Sequence, residues 1–257
     1  MVELDGAVAT VELELYGAVA VVTINRPHTH NAISLDTMGE LEKTLDAAEG
    51  ARALVVTGAG DRAFVSGGDL KELAALRTHE EAAEMARRMR GVCDRIADFP
   101  APVIAALNGH ALGGGAEIAV AADIRVAAEG IRIGFNQVSL EIMPAWGGAE
   151  RLATLVGPGR ALLLAGTGRI LDAGEAERLG LVDLVLPRAE FADGWRQLAA
   201  SLATKQLASG AATGIQNFTG SRTSIIHMGL AVAVTKSLFL PPPTKMLGQA
   251  VQRAAFY

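Results

Sequence analysis

Two segments constrain this chain more than any others: Ala63-Phe-Val-Ser-Gly-Gly-Asp-Leu-Lys-Glu72 and Asn108-Gly-His-Ala-Leu-Gly-Gly-Gly-Ala-Glu117. Each sets adjacent glycines after an apolar, strand-like stretch and before a helix-like one. Free backbone N–H groups gather where a helix begins, and glycine lets another group approach the backbone closely. One such turn is ordinary punctuation. Two of them, placed side by side at the same end of a sheet, would aim the N–H groups of Gly68 and Gly114 at a single oxygen, which is an oxyanion hole. A helix start adds partial positive charge where negative charge would develop. That arrangement needs strands alternating with helices, an α/β fold.

The flanking periodicity agrees. Val11–Leu15 and Ala18–Ile24 read as a hairpin around Tyr16-Gly17. Ser34 is placed to cap a helix whose apolar stripe, Leu35, Met38, Leu41 and Leu45, stops at Gly50. Ala53–Thr57, Val103–Leu107 and Asp123–Ala127 read as buried strands, and Gly113–Ala121 as a glycine-started helix. Thr78–Phe99 carries Ala82, Met85, Met89, Val92, Cys93 and Ile96 on one stripe and ends at Pro100-Ala-Pro102. From Gly148 onward the pattern turns helical through Arg160–Leu164, Asp172–Leu179, Ala189–Ala208 and Ser224–Phe239, with one short strand near Leu181–Val185. The 257 residues therefore read as one domain, with an α/β core over 1–195 and a helical C-terminal region over 196–257.

Composition removes several classes of function. Half the residues are apolar and the formal charge is −5 with no basic run, which argues against nucleic acid as a partner. The single cysteine, Cys93, rules out an internal disulfide and suits the cytoplasm. The N-terminal stretch is acidic where a signal peptide is basic, and no apolar run reaches the ~18 residues of a membrane span. No metal site is expected either, since His28 and His30 lie in a polar turn without an acidic cluster. His110 precedes the second glycine turn, either orienting it or serving the framework. His227 sits on an apolar C-terminal stretch.

Gly58-x-Gly60-x-x-Ala63 loosely matches a dinucleotide-binding turn. That turn needs a helix starting inside the glycines, but the next residues, Phe64-Val-Ser-Gly-Gly-Asp69, read as more turn. Neither Tyr16 nor Tyr257 is placed as a short-chain dehydrogenase requires. The simpler reading is a strand-to-loop turn closed by two glycines.

Taken in order, Ile24-Asn-Arg-Pro27 with Asn31-Ala32, Phe64–Leu70, Gly109–Glu117 with Asp123, Pro144-x-x-Gly-Gly148 with Arg151-Leu152, and Gly180-Leu-Val-Asp183 resemble the crotonase, or enoyl-CoA hydratase/isomerase, superfamily over nearly the whole chain. The resemblance implies a spiral of ββα turns with a helical C-terminal trimerisation region, assembled as a homotrimer or dimer of trimers. It implies acyl-CoA thioesters as substrates, with coenzyme A as part of the substrate and no separate cofactor. By position it makes the N–H groups of Gly68 and Gly114 the pair that polarises the thioester carbonyl. Ser66, Asp69 and Lys71 fall in the loop lining the CoA, and Arg26 falls near its phosphates. Asp69 reads equally as a helix N-cap.

At the acid/base pair the sequence departs from the pattern. Glu117 stands at the first glutamate position, in apolar surroundings that would raise its pKa. The second position holds Gln137, and an amide cannot take a proton from water. If Gln137–Met143 is helical, Glu141 shares a face with Gln137 and is either a displaced acid/base or a solvated surface residue. Trp146 either narrows an acyl pocket or belongs to the core. Three readings stay open: an enoyl-CoA hydratase or isomerase working through Glu117, with Glu141 or a water held by Gln137 as helper; another superfamily activity such as thioester hydrolysis, decarboxylation or C–C hydrolysis; or a CoA-ester-binding subunit without catalysis.

Overall fold

Apolar runs and caps set the elements of the computed structural model, which describes residues 9–204. The strands are β1 (Val11–Tyr16), β2 (Val19–Ile24), β3 (Ala53–Gly58), β4 (Ala63–Val65), β5 (Val103–Leu107), β6 (His110–Leu112), β7 (Ile124–Ala128), β8 (Arg132–Gly134), β9 (Ile170–Asp172) and β10 (Leu184–Leu186). The helices are α1 (Leu35–Ala47), α2 (Leu70–Ala75), α3 (His79–Ala97), α4 (Gly114–Ala119), α5 (Gly148–Val156), α6 (Pro158–Thr167), α7 (Ala173–Arg178) and α8 (Arg188–Thr204). One sheet runs β1-β2-β3-β5-β7-β10, parallel throughout except for the β1–β2 hairpin; the other runs β4-β6-β8-β9, antiparallel only at β8–β9. Each successive turn gives a long strand to the first sheet, a short one to the second, and then helix: β3, β4 and α2–α3; β5, β6 and α4; β7, β8 and α5–α6. This is the ββα spiral.

The cap expected at Ser34 forms, and a second is found at Thr78. Ser34 Oγ accepts from Thr37 N at 3.1 Å, and Thr78 and Glu81 close a reciprocal capping box at the start of α3. β3 and β5 are buried along their length, as two-faced parallel strands must be. The α3 stripe buries Met89, Val92, Cys93 and Ile96, whereas Met85 stays half-buried because it lines a cleft beside Gly68.

Several elements differ from the sequence reading. The three-residue strands of the second sheet escape periodicity, and β9 lies inside a tract that reads as helical. Asp172 ends that strand and caps α7, accepting from Glu175 N at 2.7 Å. The strand expected near Leu181–Val185 is Leu184–Leu186. The helix expected over Ala189–Ala208 does form, as α8, and runs across 195/196 without a break. Ser224–Phe239, His227 and residues 205–257 of the expected trimerisation region lie outside the described residues.

Two buried asparagines fix the link from β3 to β4. Asn108 Oδ1 accepts from Gly58 N at 3.0 Å, and its Nδ2 donates to Gly60 O at 2.8 Å. Asn31 Nδ2 donates to Ala59 O at 3.0 Å and Ala63 O at 2.8 Å. A Cβ on Gly58 would collide with the Phe64 carbonyl, so the Gly58–Ala63 segment is a tightly bonded loop into β4, not a nucleotide turn. Asn108→Ala leaves a buried N–H and a carbonyl unpaired and is expected to cost about 2–4 kcal/mol. The melting temperature should then fall by roughly 5–15 °C. A circular-dichroism melt unchanged within about 2 °C would contradict this account of the loop.

Candidate active site

The two glycine turns stand side by side because β4 and β6 pair in parallel and each runs directly into its turn. Ile33 bridges the first turn, donating to Gly67 O and accepting from Asp69 N, each at 2.8 Å. In a parallel bridge the residue between those two partners faces the other way, so the Gly68 N–H points away from Ile33. Gly114 is the first residue of α4, where the N–H has no intrahelical acceptor. The strands bring the turns close: a Cβ on Gly67 would lie 3.4 Å from Gly114 N. With only six residues, α4 contributes its N–H groups rather than an extended dipole.

One turn further along α4, Glu117 is 2 % exposed. Its Oε2 accepts from the backbone N–H groups of Trp146 at 2.8 Å and Gly148 at 2.9 Å, and its Oε1 accepts from Gln137 Nε2 at 2.9 Å. Burial pushes its pKa above the ordinary 4.5, against the opposing pull of these donors. A Cβ on Gly148 would overlap the Glu117 side chain, which explains a glycine there. The Pro144–Gly148 loop is held from its other side by Arg151, whose Nη1 donates to Trp146 O at 3.1 Å and whose guanidinium pairs with Asp94 on α3. Sequence alone gives Arg151 and Asp94 no role; the Gly147-Gly148-x-x-Arg151 spacing is the one signal that points to them.

Gln137, which the sequence sets at the second glutamate position, joins the Glu117 cluster. It is buried, and its Oε1 has no hydrogen-bond partner among the described residues. The helical face expected for Gln137 and Glu141 does not form. Asn136–Leu140 is a 3-10 turn, and Glu141 ends it at φ +60° with an exposed side chain. A positive φ is the conformation glycine adopts most readily, so Glu141 holds a backbone geometry that a residue with a side chain takes less easily.

Arg26 and Asp69 meet each other. Arg26 Nη2 lies 3.0 Å from Asp69 Oδ2, and its Nη1 donates to Ala32 O at 2.6 Å. Asp69 also caps α2, accepting from Lys71 N at 3.1 Å. Burial opposes ionisation of this carboxyl, yet Arg26 and the α2 N–H groups hold its pKa below the ordinary value. Ser66 and Lys71 are exposed on the same loop. His28 and His30 are exposed, and His110 Nδ1 accepts from Arg132 N at 3.0 Å, tying β6 to β8.

The raised pKa of Glu117 has a stability consequence. The folded chain holds this proton more tightly than the unfolded chain does. The contribution is therefore fully present below the ordinary glutamate value and is lost as pH rises through the folded pKa. Glu117→Gln should abolish that slope, with Gln137 turning its amide to match, and should be at least as stable as wild type at pH 8. Urea unfolding across pH 4–8 tests this; parallel curves for the two proteins would refute it.

Residues 14–222 match the family described as Enoyl-CoA hydratase/isomerase. The chain is 41% identical over 190 residues to a short-chain-enoyl-CoA hydratase of Clostridium acetobutylicum, covering 73% of this chain and 72% of that one. It is 39% identical over 196 residues to a crotonyl-CoA hydratase of Syntrophomonas wolfei, covering 75% of each. The crystal structure of an enoyl-CoA hydratase from Bacillus anthracis aligns with a TM-score of 0.77 at 30% identity, covering 97% of this chain and 92% of that one. No helix among the described residues is long and apolar enough to cross a membrane. A likeness that runs through the spiral as well as its glycine motifs places the chain in the enoyl-CoA hydratase/isomerase family of the crotonase superfamily.

Proposed function

We propose that this protein hydrates 2-enoyl-CoA thioesters to 3-hydroxyacyl-CoA using one carboxylate, Glu117, with Gln137 as its neutral partner. The observation that carries the reading is the buried Glu117–Gln137 pair, whose amide oxygen has no hydrogen-bond partner among the described residues. Gly68 and Gly114 donate to the thioester carbonyl. A water donates one hydrogen to Gln137 Oε1 and the other to Glu117 Oε1. As its oxygen adds to C3, Glu117 takes a proton, and the electron pair moves to the carbonyl oxygen as an enolate. Glu117 then returns that proton to C2, so the elements of water are added and no second acid is required. The hydratases among the relatives support this assignment.

On this reading the CoA lies along the Arg26–Lys71 loop. Arg26 is committed to Asp69 and Ala32 O, which leaves the exposed Lys71 to meet phosphate. Assembly as a homotrimer or dimer of trimers is part of the proposal, supported by Leu162 and Met143, which are 75% and 66% exposed. A second reading, enoyl-CoA isomerisation, is favoured by the same single carboxylate, because one base suffices to carry a proton between C2 and C4.

Loss of enoyl-thioester absorbance with crotonyl-CoA tests the proposal. Glu117→Gln should lower kcat by at least about 10³, and Gln137→Leu by roughly 10–10². Wild-type kcat/KM should fall as pH drops through the raised pKa of Glu117. In Gln137→Glu a like charge beside Glu117 should move that limb to higher pH. Inactive wild type that still binds the thioester would overturn the hydratase reading, and appearance of a 3-enoyl product would select the isomerase.

A further inference from the structure

The indole of Trp146 belongs neither to the acid/base pair nor to the CoA loop, yet it lies against both carbonyl-binding glycines. It is 6% exposed. A Cβ on Gly114 would overlap its six-membered ring at Cζ3, Cη2 and Cε3. A Cβ on Gly68 would come within 3.7 Å of its Cζ2 and 3.1 Å of Leu73 Cδ1. The ring edge therefore spans the two turns. The backbone that carries it is fixed at both ends, its N–H on Glu117 and its carbonyl on Arg151, which is in turn paired with Asp94.

A thioester whose oxygen sits on Gly68 and Gly114 must bring its C2 carbon next to these glycines, and so next to the indole. We propose that Trp146 determines specificity: it walls the site at C2, admitting acyl-CoA esters unsubstituted there and rejecting those with a 2-methyl branch. An unbranched chain keeps clear of the ring and can enter the cleft lined by Ile33, Met38, Leu73, Leu76 and Met85. A methyl group that cannot be accommodated is worth about 10–200-fold in discrimination. The inference rests on the proposed placement of the carbonyl, but not on which reaction the bound ester undergoes.

Binding and turnover separate the two claims. Calorimetry with butyryl-CoA and 2-methylbutyryl-CoA, which have no double bond to hydrate, reads the wall alone; crotonyl-CoA and 2-methylcrotonyl-CoA read it through hydration. Wild type should bind the unbranched ester at least about tenfold more tightly. In Trp146→Ala that ratio should shrink by about tenfold or more through a gain for the branched ester, while Trp146→Phe keeps most of it. Trp146→Leu fills the core without a ring and should also lose selectivity, which covers the case that the alanine variant does not fold. Equal ratios in wild type and in the folded ring-deleted variants would overturn the inference and leave the indole a packing residue. Selective binding without hydration would overturn the hydratase reading alone, and hydration with ratios insensitive to Trp146 would overturn this one alone.

Discussion

The close approach of α4 to β4 underlies the site. A Cβ on Gly115 would sit on the Val65 carbonyl, so the helix can lie this near the strand only because that position is glycine. The contact sets the spacing between the Gly68 turn at the end of β4 and the Gly114 turn at the start of α4. It also fixes the helix that carries Glu117 one turn later. Interiors are close-packed, and a one-carbon intrusion here would have to displace either the sheet or the helix. Three glycines in a row are thus required for different reasons. Gly113 turns the chain at φ +55°, Gly114 lies under an aromatic ring, and Gly115 lets the backbones touch.

On that frame, Glu117 is buried with donors arranged for its ionised form, and burial still dominates its titration. A second carboxylate at position 137 would add repulsion between like charges and couple the two titrations. The amide of Gln137 avoids this: its Nε2 supports the carboxylate while its Oε1 accepts. The exchange gives up an independent proton donor. In the proposed hydration one group of tuned basicity suffices, because the proton taken from water is the one delivered to carbon.

Much of this is legible in the sequence because the informative signals are local. The Ser34 cap, the α3 stripe and the strand-glycine-helix turns each lie within a short stretch of consecutive residues. The features that escape depend on topology or on elements too short to show a period. A three-residue strand such as β4 offers one alternation, so the second sheet is invisible to periodicity although the site is built on it. Arg26 and Asp69 lie 43 positions apart and meet only because the Asn31–Ile33 segment runs beside the Gly68 turn. Placing Glu141 on a face with Gln137 assumes an α-helix where the chain makes a 3-10 turn. Its positive φ is the missing signal, since that is the conformation for which glycine is the easy choice.

On the proposed assignment, Trp146 serves reactivity and selectivity from one position without tying them together. Its N–H orients Glu117, its carbonyl is held by Arg151, and only its side chain reaches the glycines. Any residue but proline supplies the same N–H, so the acid/base geometry tolerates a change of side chain that the acyl wall does not. The converse holds at Arg151. Its guanidinium touches the backbone of the loop, so its loss would disturb ring and carboxylate together through the Asp94 tie to α3. Variation at position 146 is therefore a route by which this fold can change its acyl group while its chemistry stays in place.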